Sequence, residues 1–242
     1  MLFFDGPSGL VHYRRWRTAR PRTTVVLLHG LGQQSADYHR FARFLNRHHI
    51  DVWGIDHMGH GLSEGEFDGV PPVDELATAA VQLMARARSA DPYGSLALVG
   101  HSLGAGTALI AMQSGSVEVQ DVSRVVLTGT PEQAHTLAIP APNVPTLVLH
   151  GREDRRAKID PIRTWCADRP TVILREVSDA GHDLLHEPVQ RAVSETIVDF
   201  LAGETEPFMS TQQIPGGSRQ VSRRLEHRRR STCRPGCHVG GR

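Results

Sequence analysis

The sequence predicts an α/β domain in which helices cover both faces of a mostly parallel central sheet. Its strands are short, almost entirely apolar and rich in Val and Leu, as is typical of strands that are buried on both faces. They alternate with helical segments of about ten residues or more, which favours right-handed crossovers between parallel strands. The 242 residues suit a single domain of this kind.

The elements follow one another over residues 1–203, which we predict to be the folded domain. The predicted strands are Leu10–Arg17, Thr24–His29, Asp51–Asp56, Ser95–Gly100, Arg124–Thr128, Thr146–His150 and Thr171–Val177. The first of them can pair with the segment before it. The predicted helices are Tyr38–Arg47, Leu76–Ala90, Leu103–Gln113, Ile159–Asp168 and Val189–Leu201.

The composition excludes several classes of protein. Hydrophobic residues make up 39% and charged residues 22%, which is ordinary for a globular domain. No apolar run approaches the ~20 residues of a bilayer-spanning helix, and the first residues do not resemble a signal peptide. The cysteines, Cys166, Cys233 and Cys237, form a sparse odd set that suits a reducing compartment, and Cys166 is interpreted as a core residue. We therefore expect a cytoplasmic location.

Residues 204–242 form an Arg-rich C-terminal tail that we predict to be disordered, because it contains too little apolar surface to fold. The tail carries a net charge of +5 and residues 1–203 carry −4, so no nucleic-acid partner is expected for the domain. A solvated tail without a role is the simplest interpretation, and association with nucleic acid or acidic lipid is the alternative. Cys233, Cys237 and His238 are too few to predict a metal site.

The segment GHSLG, residues 100–104, matches the G-x-S-x-G pattern. The string alone is modest evidence, but here it directly follows a predicted strand and opens a predicted helix. That context sets a serine on a sharp turn that its flanking glycines permit, so Ser102 is the candidate nucleophile. The alternative role for Ser102 is a simple helix N-cap, which does not require both glycines.

The same turn places Ser102 near a helix N-terminus, where free backbone N–H groups favour an anion. The N–H of Leu103 is therefore a candidate donor to an oxyanion. A second donor is expected from the loop after the strand Thr24–His29, where glycines flank Leu31. Leu31 is the second candidate, and an ordinary strand end is the alternative for this loop.

A serine hydroxyl needs a base, which must be selected here from 14 histidines. In this class of fold the order along the chain is Ser, acid, then His, each on a loop after a strand. His182 directly follows the last predicted strand, beside a glycine, and is the candidate base. His186 is the nearest rival, on what looks like the next helical turn.

The acid that orients this base should follow the preceding strand. Asp154 lies three residues beyond the glycine that ends that strand, and Glu153 is the alternative. Either carboxylate could instead form surface ion pairs with the neighbouring arginines. We predict Asp154 as the acid, which must be buried to fix the histidine tautomer.

With Ser102, Asp154 and His182 in this order, the chain resembles the α/β-hydrolase superfamily over about residues 10–202. The segments HGLG, residues 29–32, and DHMGHGLSEG, residues 56–65, are similar to those of the monoacylglycerol lipase and lysophospholipase-like group, of serine aminopeptidase S33 type. Met58 stands where that group usually has Arg. The resemblance implies an α/β-hydrolase fold, hydrolysis of carboxylic esters such as monoacylglycerols or lysophospholipids, and no metal or organic cofactor.

The chain departs from that group between Thr128 and Thr146, where the group usually inserts a cap domain. The connection here is short and Pro-rich, so we expect the cap to be minimal or absent. An open site of this kind favours short or bulky, exposed esters and binds long lipids weakly, unless a partner subunit covers it.

The expected reaction passes through an acyl-enzyme on Ser102, with His182 as base and the Leu31 and Leu103 N–H groups holding the oxyanion. Another hydrolase on the same fold, such as a thioesterase or peptidase, is an alternative, because fold alone does not settle the chemistry. A non-catalytic small-molecule-binding protein and a degenerate protein that has lost its activity are two further alternatives.

Overall fold

In a computed structural model that describes residues 1–66, 72–203 and 212–214, the last three by backbone alone, the chain forms one nine-stranded sheet. The strands are β1 (Leu2–Gly6), β2 (Gly9–Trp16), β3 (Thr23–Leu28), β4 (Ile50–Ile55), β5 (Ser95–His101), β6 (Val122–Thr128), β7 (Thr146–Gly151), β8 (Val172–Val177) and β9 (Gln212–Ile214). The helices are α1 (His39–Arg47), α2 (Val73–Ala90), α3 (Leu103–Ala111), α4 (Val117–Gln120), α5 (Gln133–Thr136), α6 (Ile159–Cys166) and α7 (Gln190–Leu201), and a 3-10 turn covers Ser35–Tyr38.

The strand order is β1-β2-β4-β3-β5-β6-β7-β8-β9. β1 and β2 form an antiparallel hairpin whose second strand also runs antiparallel to β4. All the pairs from β4 to β9 are parallel. The mostly parallel sheet predicted from the sequence is confirmed, and so is the pairing of the first predicted strand with the segment before it.

Two hydrophobic layers bury the two faces of the sheet. Alternate residues of β3 show the division, since Val26 and Leu28 pack with α2, α3 and α6 while Val25 and Leu27 pack with α1 and α7. Both sets are almost completely buried. The continuous apolar runs in the sequence therefore reflect central strands such as β3, β4 and β7, which have no solvated face.

Cys166, at the end of α6, packs against the first of these layers. Burial raises the pKa of its thiol to about 12. The side chain therefore behaves as a core residue, as the sequence predicted.

The connection between β6 and β7 contains only the four-residue helix α5. The expected absence of a cap domain at this point is confirmed. The β6–β7 connection therefore adds no domain over the carboxyl end of β5, where Ser102 follows. Among the residues that the structure describes, no helix combines the length and the apolar character that a bilayer span requires.

The predicted disordered tail, residues 204–242, lies outside the described residues apart from Gln212–Ile214. Those three residues differ from the prediction, since their backbone pairs in parallel with β8. Without them β8 would be an edge strand that offers unpaired backbone groups to any extended segment. A three-residue strand is too short to produce a recognisable sequence pattern, and the boundary at residue 203 stays a prediction.

The packing of α3 on the sheet generates the first testable prediction. A Cβ atom at Gly104 would lie 2.1 Å from the carbonyl oxygen of Leu28, so Gly104→Ala should destabilise the fold by about 1–3 kcal/mol through overpacking. Gly106 is the matched control, because its Cβ would meet only Pro131 at 3.6 Å. Gly106→Ala should be neutral or stabilise by up to about 1 kcal/mol. Urea denaturation measures both, and equal stabilities for the two variants would contradict the packing argument.

Candidate active site

Ser102 lies in the tight turn between β5 and α3. Its backbone has φ 51° and ψ −113°, a positive-φ conformation that residues other than glycine rarely adopt. Its N–H donates to the carbonyl oxygen of Thr128 on β6 at 2.9 Å, which holds the strained turn in place. Although Ser102 occupies the N-cap position of α3, its hydroxyl makes no capping hydrogen bond. The simple capping role is therefore not the one that the structure shows.

The two glycines of the GHSLG segment, Gly100 and Gly104, lie too close to neighbouring backbone atoms for a side chain to fit. A Cβ atom at Gly100 would lie 2.4 Å from the carbonyl oxygen of Gly104, and one at Gly104 would meet the backbone of Leu28. Strand, turn and helix therefore pass one another more closely than any side chain permits. This close passage leaves the hydroxyl of Ser102 free to face the loops at the carboxyl edge of the sheet.

The structure brings the three predicted triad residues together. The ring of His182 has its Nε2 atom 2.8 Å from Ser102 Oγ and its Nδ1 atom 2.7 Å from Asp154 Oδ2. With the hydrogen on Nδ1 donated to the carboxylate, Nε2 is free to accept from the serine hydroxyl. Glu153, the alternative acid, instead accepts a hydrogen bond from the N–H of Ala180.

Asp154 is almost completely buried, with 6% of its surface exposed. Burial by itself would raise the pKa of this carboxyl group, but hydrogen bonds from His150, His182 and the Ala157 N–H hold the pKa well below its ordinary value. The N–H of Arg156 donates to Oδ1 as well. The carboxyl group is therefore held ionised by these donors rather than by the arginine side chains around it.

Glu187, which the sequence did not single out, holds the loop that carries His182. Its two carboxylate oxygens accept from the N–H groups of Gly181 and Asp183, one on each side of the histidine. His186, the rival base, lies in the turn before α7 and bonds to Asp183 rather than to Ser102. A glutamate five residues after the candidate base carries no local signal that would have identified this role.

Gln33 links the loop after β3 to the loop after β8. Its Oε1 atom accepts from the N–H of Gly30 and the hydroxyl of Tyr38, and its Nε2 atom donates to Asp183 Oδ2 at 3.0 Å. The N–H of Leu31, beside it, makes no hydrogen bond with any residue in the described part of the chain, and the same holds for Leu103 N–H. Both candidate oxyanion donors are therefore available to a ligand.

His101, next to Ser102, is buried and has its Nδ1 atom 3.0 Å from Thr128 Oγ1. Burial lowers the pKa of this histidine to about 4, although Asp183 opposes the effect. His101 is therefore uncharged near neutral pH and adds no positive charge beside the serine.

Ser102 and His182 line a cleft of about 630 Å³ whose surface is polar and apolar in nearly equal parts. Three apolar side chains line it, those of Leu31, Pro131 and Ala157. The polar and charged residues of the wall outside the triad and His101 are Gln33, Glu132, Gln133, Arg156, Asp183 and Glu187. In the described residues no group of His, Cys, Asp or Glu side chains is arranged to hold a metal ion. The residues Cys233, Cys237 and His238 lie outside the described part.

A parallel sheet with a strand–turn–helix serine and a His–Asp pair on later loops defines the α/β-hydrolase class. A family profile described as serine aminopeptidase, S33, matches residues 19–142, which is just over half of the chain. The chain therefore belongs to the serine aminopeptidase S33 family, and the resemblance inferred from its motifs is confirmed.

Similar proteins are lipases and esterases by their names. Human monoglyceride lipase is 30% identical over 139 residues, covering 56% of this chain and 46% of that protein. Monoacylglycerol lipase of Mycolicibacterium smegmatis is 30% identical over 134 residues, covering 54% and 47%. The chain thus spans about half the length of the curated relatives that it matches.

Solved structures extend the similarity to most of the fold. Est1E of Butyrivibrio proteoclasticus, solved with ferulic acid, has a TM-score of 0.72 at 14% identity and covers 84% of this chain and 98% of its own. An α/β serine hydrolase without lid from Xanthomonas campestris has a TM-score of 0.67 at 18% identity, covering 86% and 95%. At these identities the likeness shows the fold alone.

The lowered pKa of Asp154 predicts how the stability of the fold depends on pH. The contribution is present above the ordinary carboxyl pKa of about 4 and is lost as the pH falls towards the lowered value. The free energy of unfolding should therefore fall more steeply between about pH 5 and about pH 3 in the wild type than in Asp154→Asn. Urea denaturation at several pH values measures this. The exposed Asp74→Asn control should follow the wild type, and parallel curves for all three proteins would contradict the assignment.

Proposed function

We propose that this protein is a serine hydrolase that cleaves carboxylic esters through an acyl-enzyme on Ser102. The observation that carries the proposal is the continuous chain of hydrogen bonds from Ser102 Oγ through His182 to Asp154, at 2.8 and 2.7 Å. Family membership supports hydrolysis, and the names of the relatives, monoglyceride and monoacylglycerol lipase, support an ester as the substrate. The expected cytoplasmic location stays a prediction.

In the first half of the reaction, Ser102 Oγ attacks the ester carbonyl carbon while Nε2 of His182 takes the hydroxyl proton. The carbonyl oxygen becomes an oxyanion that accepts from the N–H groups of Leu31 and Leu103. Such donors stabilise the transition state by about 3–4 kcal/mol each in other acyl-transfer enzymes. The C–O bond then breaks, and the alcohol leaves with the proton from Nε2.

In the second half, water replaces the alcohol. His182 takes a proton from this water as its oxygen attacks the acyl carbon, and the same two N–H groups hold the second oxyanion. Collapse releases the carboxylic acid and returns the proton to Ser102 Oγ. Throughout, Asp154 keeps the hydrogen of His182 on Nδ1 and stabilises the imidazolium that forms in each half.

Labelling with a tagged fluorophosphonate tests the nucleophile. The wild type should be labelled on Ser102 alone, as located by mass spectrometry, because only a serine with a base and an oxyanion site reacts readily. Ser102→Ala should lose the label. Ser89→Ala, which removes an exposed hydroxyl that donates to the carbonyl oxygen of Ala85 within α2, should keep the label. A folded wild type that takes no label would exclude the hydrolase mechanism and favour a binding or degenerate protein.

The charged side chains in the wall of the cleft predict which acyl groups are hydrolysed. A long acyl chain would lie against charged groups such as Glu132 and Arg156 instead of an apolar channel, so each added methylene gains little burial. In a series of 4-nitrophenyl esters, kcat/KM should be highest for acyl groups of up to about four carbons. The panel is run below the concentration at which the longer esters form micelles. A steady rise in kcat/KM through eight and twelve carbons would contradict the prediction, and matched thioester and amide substrates would separate the alternative hydrolases.

A further inference from the structure

A second histidine contacts the carboxylate that orients the candidate base. His150 is the penultimate residue of β7, and its side chain is completely buried. Its Nε2 atom lies 2.8 Å from the carbonyl oxygen of Ala157 and 3.3 Å from Oδ2 of Asp154. The reaction described above makes no use of this residue.

The contact with Ala157 determines which nitrogen of His150 carries the hydrogen. A carbonyl oxygen can only accept, so Nε2 must be the donor. Nδ1 is buried and has no hydrogen-bond partner among residues 1–66 and 72–203. The single Nε2–H is therefore donated to the Ala157 carbonyl oxygen, and Oδ2 of Asp154 lies 3.3 Å from the same nitrogen.

Four donor nitrogens thus lie within 3.3 Å of the carboxylate oxygens of Asp154. Its Oδ1 atom accepts from the N–H groups of Arg156 at 2.8 Å and Ala157 at 3.0 Å, while Oδ2 faces His182 and His150. Ala157 takes part twice, since its N–H bonds to Oδ1 and its carbonyl oxygen accepts from His150. Without His150, Oδ2 would keep His182 as its one side-chain partner in the described part of the chain, and the Ala157 carbonyl group would lose the bond that holds it beside the carboxylate.

We propose that His150 is a positioning residue that fixes Oδ2 of Asp154, and the carbonyl group of Ala157, in the orientation that aligns His182 with Ser102. The proposal concerns the His–Asp alignment, and its consequence for catalysis rests on the proposed function. A purely structural role, in which His150 only ties down the loop after β7, would affect stability but not the His182–Asp154 bond.

Proton NMR of the folded protein tests the alignment without any need for turnover. A hydrogen on Nδ1 of His182 that is held by a buried carboxylate should give a resonance at low field, assigned by its loss in His182→Gln. In His150→Leu, which keeps the bulk but lacks the donor, this resonance should move to higher field and broaden. In His150→Gln, whose amide nitrogen can replace Nε2, it should stay close to its wild-type position.

A matched control comes from another buried histidine–aspartate pair. His12 Nδ1 lies 2.8 Å from Asp56 Oδ2, and both side chains are buried away from the triad. His12→Leu should lower the melting temperature as His150→Leu does, yet leave the low-field resonance of His182 unchanged. An unchanged resonance in His150→Leu, or an equal loss in His150→Gln, would overturn the proposal.

Ester hydrolysis provides the second measurement. Because an aligned carboxylate stabilises the imidazolium, the acid limb of the kcat/KM profile should move to lower pH in His150→Leu, by about half a pH unit. At the optimum kcat should fall about ten-fold with little change in KM, the effect expected of a group that orients another. His150→Gln should recover most of both. An acid limb that moves to higher pH would also overturn the proposal, since His150 would then act by drawing charge from Asp154.

The two measurements distinguish failure of this inference from failure of the proposed function. If the wild type hydrolyses no ester but its low-field resonance still depends on His150, the positioning role stands and the ester hydrolase does not. If His150→Leu hydrolyses esters with an unchanged pH profile and an unchanged resonance, the positioning role alone is wrong.

Discussion

The close approach of α3 to the centre of the sheet is the constraint on which the candidate site depends. It brings Gly104 against the backbone of Leu28, with no room for a Cβ atom. The chain can reach that position from β5 only through a sharp turn, and Ser102 absorbs the turn with a positive φ. The strain is tolerated because Thr128 on the neighbouring strand holds the N–H of Ser102. Because β5, β6, β7 and β8 are parallel neighbours, the loops that carry Asp154 and His182 lie at the same carboxyl edge of the sheet as Ser102.

Burial and hydrogen bonding determine the charges of His29, His101 and Asp154 at this edge. Burial lowers the pKa of His29 and of His101 to about 4, so both rings are neutral near pH 7. Asp154, in contrast, is buried among donors that keep it ionised. The carboxylate of Glu187 bonds to backbone N–H groups on either side of His182. His182 thus lies between Ser102 Oγ and the carboxylate of Asp154, with one ring nitrogen close to each.

The short connection between β6 and β7 shapes the cleft. Where a cap insertion would add apolar surface, this chain has only α5 and its flanking loops, which contribute Pro131, Glu132 and Gln133 to the wall. In the described part of the chain, the wall of the cleft is therefore built by loops of the domain itself. The curated lipases that the chain resembles are about twice as long as the part that matches, so the similarity does not extend to their whole length.

The sequence by itself determined the layered fold, because uninterrupted apolar strands that alternate with helices can be buried in few other ways. It also singled out Ser102, Asp154 and His182, since each follows a strand whose end must lie at the same edge of a parallel sheet. Only the tertiary structure decided between Asp154 and Glu153, which are adjacent in the chain but lie against different partners. The contacts of Gln33, His150 and Glu187 likewise emerged from the structure alone. Some of these contacts join loops that are distant in sequence, and others depend on the direction of a side chain. Neither property produces a pattern of neighbouring residues that sequence analysis can recognise.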